Sequence, residues 1–403
     1  MILAVGGHVT HAADVSGAYY DWKKTLQPER PFLHPYHQTV VMKIHLADKM
    51  PNGGCKVHLT FEQALEVIKR LDHLTLGIPK IVYLVGWQHN GHDSKYPDWS
   101  VVNPRLKREG DATAADSLKW LMAEGSKYHT TVSLHINMVD AYADSPLWDT
   151  YLKNDLIEKD KDGNPIKAGK WGVGTDIETQ SYHINYAREW DSGFAQKRID
   201  GLLAMLPIEK AHTIHIDVFQ NKEVPTQRKI LRYFRDKGVD VTVEDKGAYI
   251  GLQPMSWHTP SLDPSIPPSL YCGTPMQAER EILLDPVKLP DLVEVFCKKV
   301  VPWYYENNTT AKKRTQPLRD GDDLCYPALW RELTLVAYSP KGYASKTWQL
   351  PPGWEAVKSV TVSEISPEGL TRLSEVKVEN GAIALSLKAG QGVAIMPTAS
   401  DRK

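Results

Sequence analysis

From Thr39 to Glu244 the chain alternates between short β-branched runs and amphipathic helical ones, and this alternation restricts the fold more than any other feature. TVVMKIHLA (39–47), KIVYLVG (80–86), TTVSLHIN (130–137), HTIHIDVF (212–219) and VDVTVE (239–244) read as apolar strands. Between them, the stretches 61–74, 114–124, 194–206 and 226–236 read as helices. In the first helix Ala64, Leu65, Ile68 and Leu71 recur at helical spacing, and Thr60 with Gln63 forms a capping box ahead of it. Strands that are apolar at nearly every position are covered on both faces, so repeated βα units imply a parallel sheet under helices. At this length, with long insertions after the strands, a (β/α)8 TIM-type barrel is favoured over an open sheet.

Three regions are expected. Residues 1–38 are polar, with several Pro and His, and form an irregular lead-in; 39–335 form the α/β catalytic barrel. Residues 336–403 change character: AVKSVTV, SEVKVEN, AIALSLKAG and GVAIMPT are short strands, separated by turn signals at Pro367–Gly369 and Asn380–Gly381. They predict a small antiparallel β-sandwich. LIEKDKDGNPIK (156–167) reads as an exposed hairpin tip; Trp171 stands where a calcium loop needs its closing Glu.

Basic and acidic residues number 48 and 49, a net charge of −1, which argues against nucleic-acid and acidic-membrane partners. Against only 6 Phe there are 12 Trp, 18 Tyr and 15 His, a bias toward flat rings with a polar handle that suits a wet, sugar-stacking groove. Cys55, Cys272, Cys297 and Cys325 are widely spaced, so neither a zinc site nor a disulfide framework is read. Met1 to Val15 lacks a basic start and a sustained apolar run; no signal peptide is read, so a cytoplasmic location is expected unless a leader has been trimmed, and the compartment stays open.

In a parallel barrel the reacting groups lie at the C-terminal ends of strands. HTIHIDVF carries Asp217 near its end, and the next strand ends at Glu244. Either residue alone reads equally well as a turn cap or a solvated rim. The pair on consecutive strand ends favours the two-carboxylate chemistry of glycoside hydrolysis, with carboxyl groups about 5–6 Å apart for a retaining enzyme. The segment WQHNGHDSKYPDW (87–99) follows a strand directly and sets His92, Asp93 and Asp98 among Trp87, Tyr96 and Trp99, the make-up of a sugar-binding loop. Its HxxHD spacing also suits metal ligands, but no partner cluster has metal spacing, so no metal is expected. His135 and Asn137 end TTVSLHIN and point toward the barrel mouth, His135 reading alternatively as a core histidine. Trp171, Asp176, Tyr182, Trp257 and His258 are weaker candidates for the same cleft.

These segments resemble one family. YLVGWQHNGHDSKYPDW is similar to the GHDS…PDY motif of family 101 glycoside hydrolases, the endo-α-N-acetylgalactosaminidases. SLHIN looks like that family's GVHIN-type strand, HIDVFQ like the strand of its nucleophile, VTVED like that of its acid/base, and SWHTP like the Trp/His loop that follows. SKTWQLPPGWEAVKSVTVSEISPEGLTR resembles the start of its β domain, so the likeness runs in order over roughly 40–397. The resemblance implies a barrel, retention of the α configuration and a mucin-type O-glycan substrate. It also implies Asp217 as nucleophile, Glu244 as acid/base, and Asp93 and His135 as substrate contacts; the placement of loop 87–99 directly after a strand adds Trp87 or Trp99 as an expected apolar wall. No metal or organic cofactor enters that chemistry, in which Glu244 must hold a proton that Asp217 lacks. His89–Asn90 before GHDS and MVDAYADSP after HIN depart from the family pattern near the sugar. The glycan therefore stays open, as do an α-galactosidase or α-glucosidase of another barrel family and a non-catalytic carbohydrate-binding barrel.

Overall fold

The computed structural model describes residues 32–50, 53–171, 179–219, 223–244, 252–254, 292–306 and 318–399. Five strands, β1 (Val40–His45), β4 (Lys80–Val85), β5 (Thr130–Asn137), β9 (Thr213–Asp217) and β10 (Asp240–Val243), form one parallel sheet in the order β1-β4-β5-β9-β10. Each new strand is laid beside the previous one, a singly wound order; a doubly wound sheet reverses direction at its centre. Two insertions decorate the strand ends: a hairpin of β2 (Ala47–Lys49) and β3 (Cys55–Val57), and a small sheet of β6 (Asp140–Tyr142), β7 (Lys167–Trp171) and β8 (Thr179–His183). Within 156–167, Leu156 and Ile157 are buried and residues 160–164 form the exposed turn, in which Asp160 accepts from the backbone of Asp162 and Asn164.

Every strand of the parallel sheet is buried on both faces, but the faces differ in chemistry. Met42, Ile44, Val82, Leu84, Val132, Leu134, Ile136, Ile214, Ile216, Val241 and Val243 join one apolar core with helices Phe61–Leu74, Ala114–Gly125, Phe194–Met205 and Val224–Asp236. Because side chains alternate along a strand, the other face carries Lys43, His45, Tyr83, Ser133, His135, Asn137, Thr213, His215, Asp217, Asp240 and Thr242. The capping box forms as expected: Thr60 accepts from the Gln63 N–H at 3.3 Å, and Gln63 Oε1 accepts from the Thr60 N–H at 2.9 Å. Among the described residues the parallel sheet has five strands, not the expected eight.

The C-terminal region is antiparallel. Strands β11 (Leu318–Asp320), β12 (Asp323–Pro327), β13 (Leu335–Ser339), β15 (Ser359–Ser366), β16 (Gly369–Lys377) and β18 (Gln391–Pro397) form a six-stranded sheet in the order β11-β12-β13-β18-β15-β16. The pair β14 (Tyr343–Gln349) and β17 (Ala382–Leu387) packs over it through a core that includes Trp348, Val362, Ile383, Leu385, Val393 and Ile395. Asn380 (φ 52°) and Gly381 (φ 72°) supply the left-handed pair that a tight turn before β17 requires. This sheet begins at Leu318, and the boundary expected after residue 335 falls inside β13. DLCYP and LVAYS are buried at nearly every position, so they lack the alternation that marked the later strands. The sheet docks on the helix Phe61–Leu74, where Arg70 reaches Glu368 at 2.7 Å and His73 the Pro367 carbonyl at 3.2 Å.

Candidate active site

The polar face of the parallel sheet rises in layers toward the strand ends. At the base, Tyr36 donates to Thr213 Oγ1 at 2.9 Å, and the Tyr83 hydroxyl shares that oxygen at 2.6 Å. Above it the His135 and His215 rings lie 5.3 Å apart, with His215 Nδ1 2.9 Å from Thr242 Oγ1. At the top stand Asp217 and Glu244. The Glu244 N–H donates to Ile216 O at 3.2 Å, extending the ladder one residue past β10 and bringing Glu244 level with Asp217. Carboxylate oxygens of the two residues and a ring nitrogen of His215 lie within 4.8 Å of one another. Val218, directly after Asp217, has φ 50°, a strained value for a β-branched residue.

Lys43 completes the group. Its ammonium donates to Glu244 Oε1 at 3.2 Å and lies 4.0 Å from Asp217 Oδ1. Its side chain is 5% exposed, against 13% and 14% for the two carboxylates. A lysine this deep in an apolar strand is tolerable only when its charge is met. His135 Nε2 lies 3.3 Å from the other Asp217 oxygen. The sequence reading missed Lys43 and His215. The available signal was a lysine inside TVVMKIHLA.

The loop 87–99 is pinned onto the β2–β3 hairpin. The His92 N–H donates to Ala47 O at 2.8 Å, and Gly91 (φ 119°) packs so closely that a Cβ there would meet Asp48 C at 2.6 Å. The ring of His92 sits 5.6 Å from that of His135, with burial and the neighbouring imidazoles holding it neutral down to about 3. Asp93 (φ 53°) is buried; burial, then the charges of Asp217 and Asp140, pushes its carboxyl up to about 8, so it is protonated at neutral pH. His92, Asp93, His135, Asp217 and Glu244 therefore share one cleft.

Other candidates have different jobs. Trp87 is fully buried and donates its indole N–H to His135 O at 2.9 Å, so it braces β5 and presents no wall to a sugar. Asp98 accepts from the N–H and Oγ of Ser100 at 2.9 and 3.0 Å and faces His89 at 3.3 Å; with Trp99 it lines a separate cavity of about 610 Å³. Asn137 is fully buried: its Oδ1 accepts from Val139 and Asp140 N–H, and its Nδ2 donates to Asp140 Oδ2 at 2.8 Å. It shapes the turn after β5. Short polar side chains at strand ends commonly satisfy their own backbone this way. Tyr182 packs against Trp148 in a tilted contact, with ring centroids 4.9 Å apart. The side chain of Trp171, and Asp176, Trp257 and His258, lie outside the described residues.

Residues 33–261 match the family model of glycoside hydrolase family 101, described as endo-alpha-N-acetylgalactosaminidase. A Renibacterium salmoninarum protein named as a candidate endo-alpha-N-acetylgalactosaminidase is 28% identical over 142 residues, 35% of this chain and 8% of that protein. The chain thus spans less than a tenth of this curated relative. Among solved structures, ligand-free alpha-N-acetylgalactosaminidase NagBb from Bifidobacterium bifidum aligns with 12% identity over 68% of this chain and 44% of that one, at a TM-score of 0.43. An alpha-amylase from Lactobacillus plantarum aligns with 12% identity over 89% of this chain and 99% of that one, at a TM-score of 0.45. Both structural likenesses are too distant to bear on activity. The family match covers more than half of the 403 residues and includes every member of the carboxylate cleft, and on that match the chain belongs to glycoside hydrolase family 101.

Proposed function

We propose that the chain cleaves an α-linked N-acetylgalactosamine by double displacement with retention, using Asp217 as nucleophile and Glu244 as acid/base. The observation that carries this reading is the pair of carboxylates on adjacent strand ends, with oxygens within 4.8 Å. Retaining enzymes hold their carboxyls roughly 5–5.5 Å apart, and inverting ones about 6.5–9.5 Å, to admit a water. In the first step Glu244 gives its proton to the glycosidic oxygen while an Asp217 oxygen attacks C1, and the aglycone leaves. In the second, Glu244 takes a proton from water, the water oxygen attacks C1, and the bond to Asp217 breaks. Lys43 faces both carboxylates, so its positive charge stabilises Glu244 once its proton has gone and Asp217 as it is released. Protonated Asp93 offers a hydrogen-bond donor to a sugar hydroxyl, with His92 and His135 beside it. The singly wound strand order, with a polar face turned away from the helices, supports reading the five strands as part of a (β/α)8 barrel around this cleft.

Incubation with Galβ1-3GalNAcα-aryl and GalNAcα-aryl substrates tests the reading, with the sugar's first-formed anomer followed by proton NMR. Chromophore release with the α anomer appearing first is expected. A β anomer first would mean inversion. Turnover of aryl α-galactosides or α-glucosides alone would move the substrate class, and binding without turnover would leave a lectin-like barrel.

A further inference from the structure

The reaction leaves a second group of ligand-type side chains unused. His45 ends β1, Asp48 lies in β2, and His58 follows β3, a spacing of H-x2-D-x9-H. The hairpin folds the three together: His45 Nε2 is 2.6 Å from Asp48 Oδ1, and His58 Nε2 is 2.7 Å from Asp48 Oδ2. One ligand atom from each lies within 4.8 Å of the other two. We propose that His45, Asp48 and His58 bind one divalent first-row transition metal ion, of the Zn2+ type, which clamps β1 to the β2–β3 hairpin beside the catalytic loop.

Two imidazole nitrogens and one carboxylate oxygen suit zinc and its neighbours, whereas calcium and magnesium require oxygen ligands. Bonds of about 2.0–2.2 Å in a tetrahedral site put ligand atoms roughly 3.3–3.6 Å apart, so the His–Asp contacts of 2.6 and 2.7 Å open by more than about half an ångström as the ion enters, and three protein ligands leave one position for water. On binding, each ring loses the proton on Nε2 and keeps one proton, on Nδ1, which frees the Nε2 lone pair for the metal. Burial pushes the Asp48 carboxyl up, but hydrogen bonds and charge from the two histidines bring it down to about 2, so this ligand is already ionised. The Asp48 side chain is 8% exposed and that of His58 24%, which leaves an entry path on the His58 side.

The site lies outside the carboxylate cleft but touches its wall. The His45 ring is 5.3 Å from that of His92, and Asp48 bridges to His92 along the backbone. Two other groupings with ligand geometry, His92–His135–Asp217 and His215–Asp217–Glu244, both contain the proposed nucleophile, whose lone pair a metal would occupy.

The test uses the full chain, stripped with EDTA, loaded with excess ZnCl2, gel-filtered and assayed for bound zinc and for melting temperature. Wild type and Asp217→Asn should each retain about one equivalent and melt several degrees higher with zinc, because the ion binds only the folded state. His45→Gln and His58→Gln keep a hydrogen-bond donor toward Asp48 but should retain only a trace of zinc and show no shift. If His45→Gln does not fold, His58→Gln decides alone, at the more exposed position. Trace zinc on wild type overturns the proposal, as does full retention by His58→Gln or loss of zinc in Asp217→Asn alone.

Discussion

The Lys43 ammonium donates to Glu244 Oε1 at 3.2 Å, across 201 positions of sequence and from opposite ends of the five-stranded sheet. In an order of β1-β4-β5-β9-β10, two end strands reach each other only if the sheet curls strongly. The contact therefore reports the curvature of the sheet and the assembly of the carboxylate cluster together. Such curling is the geometry from which a barrel closes.

Lys43→Met should reduce kcat by about 100-fold or more, because removing a preorganised charge from a buried site typically loses on that order. Lys43→Gln separates charge from hydrogen bonding. If the positive charge matters, Gln and Met fall together; if the contact to Glu244 suffices, Gln keeps most of the rate. Wild-type kcat in both variants would remove Lys43 from the mechanism.

The two carboxylates should fail differently. Asp217→Asn is expected to abolish turnover of every substrate, since no nucleophile remains. Glu244→Gln should impair poor leaving groups far more than activated aryl ones, and azide should rescue the latter as an α-glycosyl azide. Equal losses with both substrate types would contradict the acid assignment, and near-normal activity of Asp217→Asn would move the site elsewhere.

Most of the parallel sheet was legible because its signals are local. TTVSLHIN became β5 residue for residue, and the Thr60–Gln63 box starts its helix as read. A strand-end rule that needs only strand boundaries singles out Asp217 and Glu244, and the structure brings their carboxylates together. What local patterns hid was the polar face: Lys43, His45, Tyr83 and His215 sit at every second position of runs apolar enough to read as uniformly buried. Their meeting depends on register between distant strands, which no short window contains. Asn137 and Asp98 illustrate the opposite error: the residue types suit a sugar, but their own turns use them.

Trp87 gives a direct check on that reassignment. Trp87→Phe removes the indole donor and leaves the His135 carbonyl without it, at a cost of about 1–3 kcal/mol for a buried acceptor, plus the lost volume. The melting temperature should fall by several degrees while the folded fraction keeps kcat/KM within about threefold of wild type, which is under 1 kcal/mol of barrier. Unchanged stability with a large rise in KM would restore the sugar-wall role.

Asp93 offers the sharpest pH test. Its carboxyl is raised to about 8 by burial and by the negative charges of Asp217 and Asp140. Between about pH 4 and pH 8 the folded protein thus holds a proton that the unfolded chain has released, so this residue makes stability fall as pH rises through that window. Asp93→Asn carries no such penalty. Its melting temperature should match wild type near pH 4 and exceed it increasingly toward pH 8. Catalysis should report the same proton. Above pH 8 ionised Asp93 loses its donor and adds a charge beside the nucleophile, giving kcat/KM an alkaline limb that Asp93→Asn lacks. Asp93→Ala, which loses the donor altogether, should lower kcat/KM at least tenfold at pH 7, in keeping with a hydrogen bond of about 1.5–3 kcal/mol. Paired melting and rate measurements decide the role. An alkaline limb unchanged in Asp93→Asn would assign that proton to another group. A large stability loss in Asp93→Ala with normal specific activity would make Asp93 an anchor of its own loop.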